Sequence, residues 1–314
     1  MKVLITGSGG PATEALWCHW SSHEVFFADA IPERIHPCVP IDRIVSLPFG
    51  YEEEFFSEMH NLQMSYNFDL IISQVDEELI KLNELVTRFN GLEILTPALD
   101  FVTLCLDKYE LSQSLKLNGI SEPNSRPLES SLISKNPHQI FKPRRGRGSR
   151  GLFFTKETKQ FELISDFLKL GLENYLVQDW IKGSEYTVQM IAKRNGELAA
   201  IVPLRVLEKR GSTTNCIVDL DFKVVDFCQL IHNTYKPKGV YNIQLIKSPE
   251  KEECFLIEIN PRVSTTMCVA LELGIDPIAV YFSGPPIREI ILPKQVIELR
   301  RHTFNSFLLK SSKI

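Results

Sequence analysis

No apolar run in these 314 residues is long enough to cross a bilayer. The first residues, Met1-Lys-Val-Leu-Ile-Thr6, lack the long apolar core and small-residue cleavage site of a secretory signal. Both absences predict a cytoplasmic chain with no membrane partner. There is no Cys-x-x-Cys pair. The seven cysteines (18, 38, 105, 216, 228, 254 and 268) are scattered and odd in number, which argues against a disulfide framework or a thiolate zinc site. An excess of positive charge is missing too. With 35 Lys and Arg against 39 Asp and Glu, the net charge of −4 exerts no general pull toward nucleic acid or acidic lipid. Repeats and low-complexity tracts are absent.

What is present is ordinary in composition, 44% hydrophobic and 24% charged, and long enough for two or three subdomains. Lys2 to Thr6, Val25 to Ala28, Asp69 to Ser73 and Leu92 to Leu95 read as strands, with helical stretches to about Trp20 and over Tyr51 to Tyr66 between them. That β-α-β-α order predicts a parallel sheet with helices on both faces through about residue 100. Asp76-Glu-Glu opens the next helix, where acidic residues suit the helix dipole. A helix opens at Asp107 and stops near Asn118-Gly119, and 123 to 137 reads as a surface connection. Further helices are expected over Phe161 to Leu170 and Asp221 to Tyr235. Tyr175 to Ile181 is a strand. Glu185 to Ala192 and Leu198 to Leu204 form a hairpin about Arg194-Asn-Gly196, and Val240 to Ile246 pairs with Cys254 to Ile259. The second half is therefore α+β. Residues from about Pro285 read as a peripheral appendage.

Two glycine-rich stretches carry competing readings. Gly7-Ser-Gly-Gly-Pro-Ala12 follows the first strand, and Asp29 lies about twenty residues on, which fits the dinucleotide fingerprint. The same turn serves any doubly wound sheet that must reach its helix quickly. Arg144-Arg-Gly-Arg-Gly-Ser-Arg-Gly151 has three glycines whose backbone N–H groups can wrap phosphate oxygens, with Lys142 at its base. It does not match a Walker loop. Its four arginines also allow a nucleic-acid contact, but no aromatic stacking platform accompanies them.

The stretch Phe255-Leu-Ile-Glu-Ile-Asn-Pro-Arg-Val-Ser264 organises the rest. Alternation along a strand places Leu256, Glu258 and Asn260 on one face. Glu258 and Asn260 then form a hard oxygen pair suited to Mg²⁺, and Arg262 suits a phosphate. The competing reading is a strand whose polar residues face water.

In this order the pieces resemble the ATP-grasp superfamily, above all the synthetase components of carbamoyl-phosphate synthase large subunits and their small carboxylate–amine ligase relatives. Tyr241-Asn-Ile-Gln244 followed by Ile257-Glu-Ile-Asn-Pro-Arg-Val-Ser264 carries most of that likeness, which extends over about residues 1 to 283. It implies an α/β plus α+β ATP-grasp fold: a parallel doubly wound domain over 1–104, a nucleotide lobe over 105–182, a second lobe with the metal site over 183–284, and the appendage over 285–314. It implies ATP with Mg²⁺, or Mn²⁺ in its place. Lys108 and Lys142 would meet phosphates under a lid containing Gly148 and Ser149. Gln178, Asp179, Trp180 and Ile181 would read adenine mainly through their backbone, and Glu185 would hold ribose. Glu258, Asn260 and Gln244 would ligate the metal, and Arg262 would stabilise the transferring phosphoryl group. Gly9 and Gly10 would bind substrate, with Arg205 and Arg210 as candidate carboxylate holders. The activity implied is ligation of a small carboxylate to an amine through an acyl phosphate, with a homodimer compatible and no nucleic-acid or membrane partner. This chain has one grasp unit, where the large synthase repeats its unit, so it is not expected to make carbamoyl phosphate by itself. An NAD-dependent oxidoreductase and a non-catalytic ATP-binding regulator remain the alternatives.

Overall fold

The computed structural model describes residues 1–128, 138–146, 148, 150–157, 159–160, 163–164, 174–284 and 289–302. Its first sheet is parallel throughout, in the order β3-β2-β1-β4-β5. The strands are β1 (Lys2–Thr6), β2 (Glu24–Asp29), β3 (Ile44–Ser46), β4 (Leu70–Ser73) and β5 (Glu93–Ile94). Alternation decides which helix each residue meets. Val3, Ile5 and Phe27 pack with α1 (Thr13–His19), while Leu4, Phe26 and Ile71 pack with α2 (Phe55–Tyr66) and α3 (Leu79–Val86). Strand order reverses between β1 and β4, so a crevice opens beyond their carboxyl ends. Gly7 turns the chain there with φ of +68°, and a Cβ on it would strike Val75 at 2.2 Å.

Helices α4 (Leu99–Leu106) and α5 (Lys108–Leu117) lead onward, α5 capped by the Asp107 side chain on the Tyr109 and Glu110 amides. A four-stranded antiparallel sheet follows in the order β6-β9-β7-β8. It contains β6 (Arg126–Pro127), β7 (Gln139–Pro143), β8 (Phe153–Thr155) and β9 (Tyr175–Asp179). The helix expected over 161–170 and part of the connection over 123–137 lie largely outside the described residues.

A six-stranded antiparallel sheet completes the fold, in the order β14-β13-β10-β11-β12-β15. Its strands are β10 (Ser184–Ala192), β11 (Leu198–Arg210), β12 (Ser212–Val218), β13 (Val240–Ser248), β14 (Glu253–Asn260) and β15 (Glu298–Arg300). One face buries Val188, Met190, Ile243 and Leu245 with Leu111, Leu115 and α6 (Phe222–Tyr235). The other face is apolar only where Ile191, Ala200 and Val202 meet α7 (Met267–Glu272) and α8 (Pro277–Tyr281). Elsewhere it is polar.

Two expectations are corrected here. Strand β11 runs to Arg210 rather than ending at Leu204, because Gly211, with φ of +75°, lets it turn directly into β12. The segment taken as peripheral is partly structural. Residues 298–300 pair with β12, and the Arg301 guanidinium donates to Thr213 O at 3.1 Å, Thr265 O at 2.6 Å and Pro11 O. Among the described residues no helix is long and apolar enough to cross a membrane.

Candidate active site

The polar face of the six-stranded sheet is built by alternation on two neighbouring strands. Gln244 stands opposite Glu258, and Asn242 opposite Asn260. Between Gln244 and Leu245 the register slips by one residue, a β-bulge at Ile257. This corrects the expected common face. Glu258 and Asn260 share one face, but the extra residue turns Leu256 to the opposite side, into the core. Ile257 falls outside the ladder, and its carbonyl accepts from Lys142 Nζ at 3.1 Å. Lys142 lies on β7, so this bond spans the gap between the two antiparallel sheets.

Charge is concentrated around Glu258. Burial pushes its carboxyl up, but Lys108, Lys142 and Lys209 outweigh burial, aided by the Asn260 amide at 3.3 Å, and hold it below the ordinary carboxylate value. Burial pushes the Lys142 ammonium down to about 8, with Glu258 opposing the shift. Lys209 donates to Glu185 at 2.6 Å and to Gln244 at 3.3 Å. Burial works against the Arg262 charge, but a two-point pairing with Asp76 holds it protonated. Asp76 lies in the turn after β4, 186 residues away in sequence.

These groups meet at a cavity of about 380 Å³ lined by Gln74, Lys209, Asn242, Gln244, Glu258, Asn260 and Arg262, with Gly148 and Arg150 above it. Its far wall is Ser264-Thr-Thr266. Gln189 holds that loop to the sheet, accepting from Ser264 Oγ at 2.8 Å and donating to Thr266 Oγ1 at 2.9 Å. Arg150 also lines a second cavity of about 350 Å³ at the crevice of the parallel sheet, with Gly9, Gly10, Asp29 and Arg34.

Other expected residues lie differently. Lys108 Nζ donates to Gly146 O at 2.6 Å, joining α5 to the glycine loop. Ser149 lies outside the described residues. The Gln178 amide donates to Ser125 Oγ at 2.6 Å, and the Asp179 carboxylate pairs with Arg126 at 3.1 Å. The Asp179 and Trp180 N–H groups donate to Pro123 O and His138 O. Ile181 is buried, and the Trp180 ring is half-exposed beside His138. None of these four lines either cavity. Arg205 and Arg210, the candidate carboxylate holders, line neither cavity: Arg205 donates to Asp219 at 2.9 Å, and Arg210 pairs with Glu208 and is exposed. A bulge at Leu207 breaks the alternation of β11, and Lys209 is the cation that it turns to the cavity. In the glycine loop, Arg144 is taken by Asp107 at 2.8 Å.

Sequence reasoning missed Gln74, Asp76 and Asn242. Asn242 carried a signal, since it sits two residues before Gln244 on the same face. Asp76 carried none, because an acidic first turn hides a long-range partner. At Asp29, the carboxylate behind the dinucleotide reading, one oxygen accepts from Gly9 N at 2.7 Å and the other from Ile31 N at 2.9 Å. The donor set at Glu258 fits Mg²⁺. It offers one ionised carboxylate and two amide oxygens, and the described residues hold no cluster of three His, Cys, Asp or Glu that would form a protein-only cage. Mg²⁺ takes few protein oxygens and completes its shell with phosphates and water.

The chain is 24% identical over 221 residues to the carbamoyl phosphate synthase large chain of Pyrococcus furiosus, a match over 62% of this chain and 20% of that one. It thus spans about a fifth of that relative's length. Its fold is similar to the N5-carboxyaminoimidazole synthase from Aspergillus clavatus solved with ADP, with a TM-score of 0.71 at 14% identity over 95% of this chain and 80% of that one. It is also similar to an L-amino acid ligase from Bacillus licheniformis, with a TM-score of 0.65 at 12% identity over 85% and 68%. The model of the ATP-grasp domain matches residues 105–266, just over half of the sequence, and the chain belongs to the ATP-grasp family.

Proposed function

We propose that this chain is an ATP-dependent ligase that joins a small carboxylate to an amine through an acyl phosphate and releases ADP and phosphate. The observation that carries this reading is the single cavity where Glu258, Asn260 and Gln244 meet Lys209 and an Arg262 held by Asp76. ATP lies between the four-stranded and six-stranded sheets, the gap that Lys142 spans. Phosphoryl transfer needs positioning and charge neutralisation rather than covalent help. Lys108 and Lys142 meet the phosphates beside Gly148 of the glycine loop. Residues 178–181 border the adenine and Glu185 the ribose. Glu258, Asn260 and Gln244 would hold Mg²⁺, which when bound would neutralise phosphate charge. Arg262, fixed by Asp76, meets the charge that develops on the phosphoryl group.

A carboxylate oxygen attacks the terminal phosphorus, and its bond to the bridging oxygen breaks, leaving ADP. The amine nitrogen then attacks the acyl carbon, the carbon–oxygen bond to phosphate breaks, and the nitrogen loses a proton. The cavity at Gly9 and Gly10 serves substrate entry. The family match and the neighbours solved with ADP support nucleotide use, and the L-amino acid ligase supports carbon–nitrogen bond formation. The test is a panel of acids with ATP, Mg²⁺ and hydroxylamine, a small nucleophile that traps an acyl phosphate as a hydroxamate. ADP and hydroxamate should appear together, and Arg262→Ala should suppress both. AMP as the main nucleotide product would contradict the mechanism.

A further inference from the structure

Gln74 follows β4 at the point where strand order reverses in the parallel sheet, and it lines the cavity of Glu258 and Arg262. It is 5% exposed, yet neither its Oε1 nor its Nε2 has a hydrogen-bond partner. Across the same cavity, Asn242 is 1% exposed; its Oδ1 accepts from Asn260, but its Nδ2 donates to nothing. Buried polar groups are normally paired, and an orphan beside a cavity points to a missing ligand. Here the missing ligand must accept from two amide nitrogens and donate to one amide oxygen. A plain amine offers no acceptor when protonated, and a plain carboxylate offers no donor. An α-amino acid offers both, an ammonium donor and carboxylate acceptors joined through a single carbon. The cations lining this cavity, Lys209, Arg150 and Arg262, favour its carboxylate.

Resting on the ligase reading above, we infer that Gln74 and Asn242 form the subsite for the amine substrate, and that this substrate is an α-amino acid. Gln74 Oε1 accepts from the amino group and orients its nitrogen. Gln74 Nε2 and Asn242 Nδ2 donate to the carboxylate. Gln74 lies two residues before Asp76, the anchor of Arg262, so the amine waits beside the phosphoryl-transfer site.

The test is binding to the protein loaded with Mg²⁺ and a non-hydrolysable ATP analogue. A ligand that binds only the folded state raises the melting temperature. The twenty L-amino acids, their amides, simple alkylamines and simple carboxylates are compared. At least one amino acid should raise the melting temperature, and its amide, amine and acid counterparts should fall short. Gln74→Leu and the more conservative Gln74→Glu should each weaken that amino acid at least tenfold, while the shift from the ATP analogue certifies that the variants fold. Alkylamines binding as well as amino acids, or wild-type affinity in both variants, would overturn the inference. So would an amino acid converted to its own hydroxamate, since it would then be the acyl donor. Hydroxamate formation from another acid without amino-acid binding sinks this subsite and leaves the ligase reading standing. Amino-acid binding that depends on Gln74, without any ADP release, does the reverse.

Discussion

Lys142 is an ammonium buried where an ammonium is disfavoured. Its pKa of about 8 lies below the ordinary 10.5, so between those values the unfolded chain binds the extra proton. Stability therefore rises with pH across that window, and the full penalty is present below about pH 8. In the proposed binding mode a phosphate beside Lys142 would reverse the balance by stabilising its charge. Lys142→Met, close in shape, should stabilise the nucleotide-free protein at about pH 7 by up to about 3 kcal/mol. The gain should shrink as pH rises through the folded pKa, and the variant should bind ATP·Mg²⁺ more weakly. Urea unfolding at about pH 7 and pH 9.5, with and without nucleotide, measures both effects. No stabilisation of the free protein at neutral pH would contradict the buried charge. At this scale the sequence was partly legible. Glu258, Asn260 and Gln244 are visible because alternation on two strands fixes their face. The Asp76 pairing with Arg262 is not, since nothing local distinguishes it from an acidic helix start.

The elements were more legible than their joins. Each strand of the parallel sheet except β3, and both hairpins of the larger sheet, follow from apolar runs bounded by turn residues. The bulge at Ile257 does not, because Phe-Leu-Ile-Glu-Ile reads as regular alternation, and only pairing to β13 exposes the extra residue. Strand β15 is likewise too short to announce itself, yet it brings Arg301 to three carbonyls from β12, the Ser264-Thr-Thr266 loop and the glycine turn. An unpaired buried acceptor costs about 1–3 kcal/mol. Arg301→Met keeps the aliphatic stem and removes these bonds, so it should lower unfolding stability by roughly that amount. It should also raise the KM for substrate, because the loop it holds is a wall of the cavity. Denaturant unfolding and steady-state kinetics check this, and wild-type values in both would refute a positioning role for Arg301.

At the scale of the whole molecule, the cavity is assembled by parts that a family match alone does not join. The ATP-grasp match begins at residue 105, but Gln74 and Asp76 reach the site from the parallel domain before it. Resemblance thus pointed to the paired strands of Gln244 and Glu258, while the folded chain added the Asp76 carboxylate that holds Arg262 and the buried Gln74 amide. In the proposed mechanism a carboxylate oxygen takes the terminal phosphoryl group. That step is tested most directly by an acid substrate labelled with ¹⁸O in its carboxylate, followed by ³¹P NMR of the released phosphate. An acyl phosphate leaves one labelled oxygen on each phosphate when the amine displaces it. One ¹⁸O per phosphate is the predicted result, and phosphate free of label, or label found in AMP, would contradict the account.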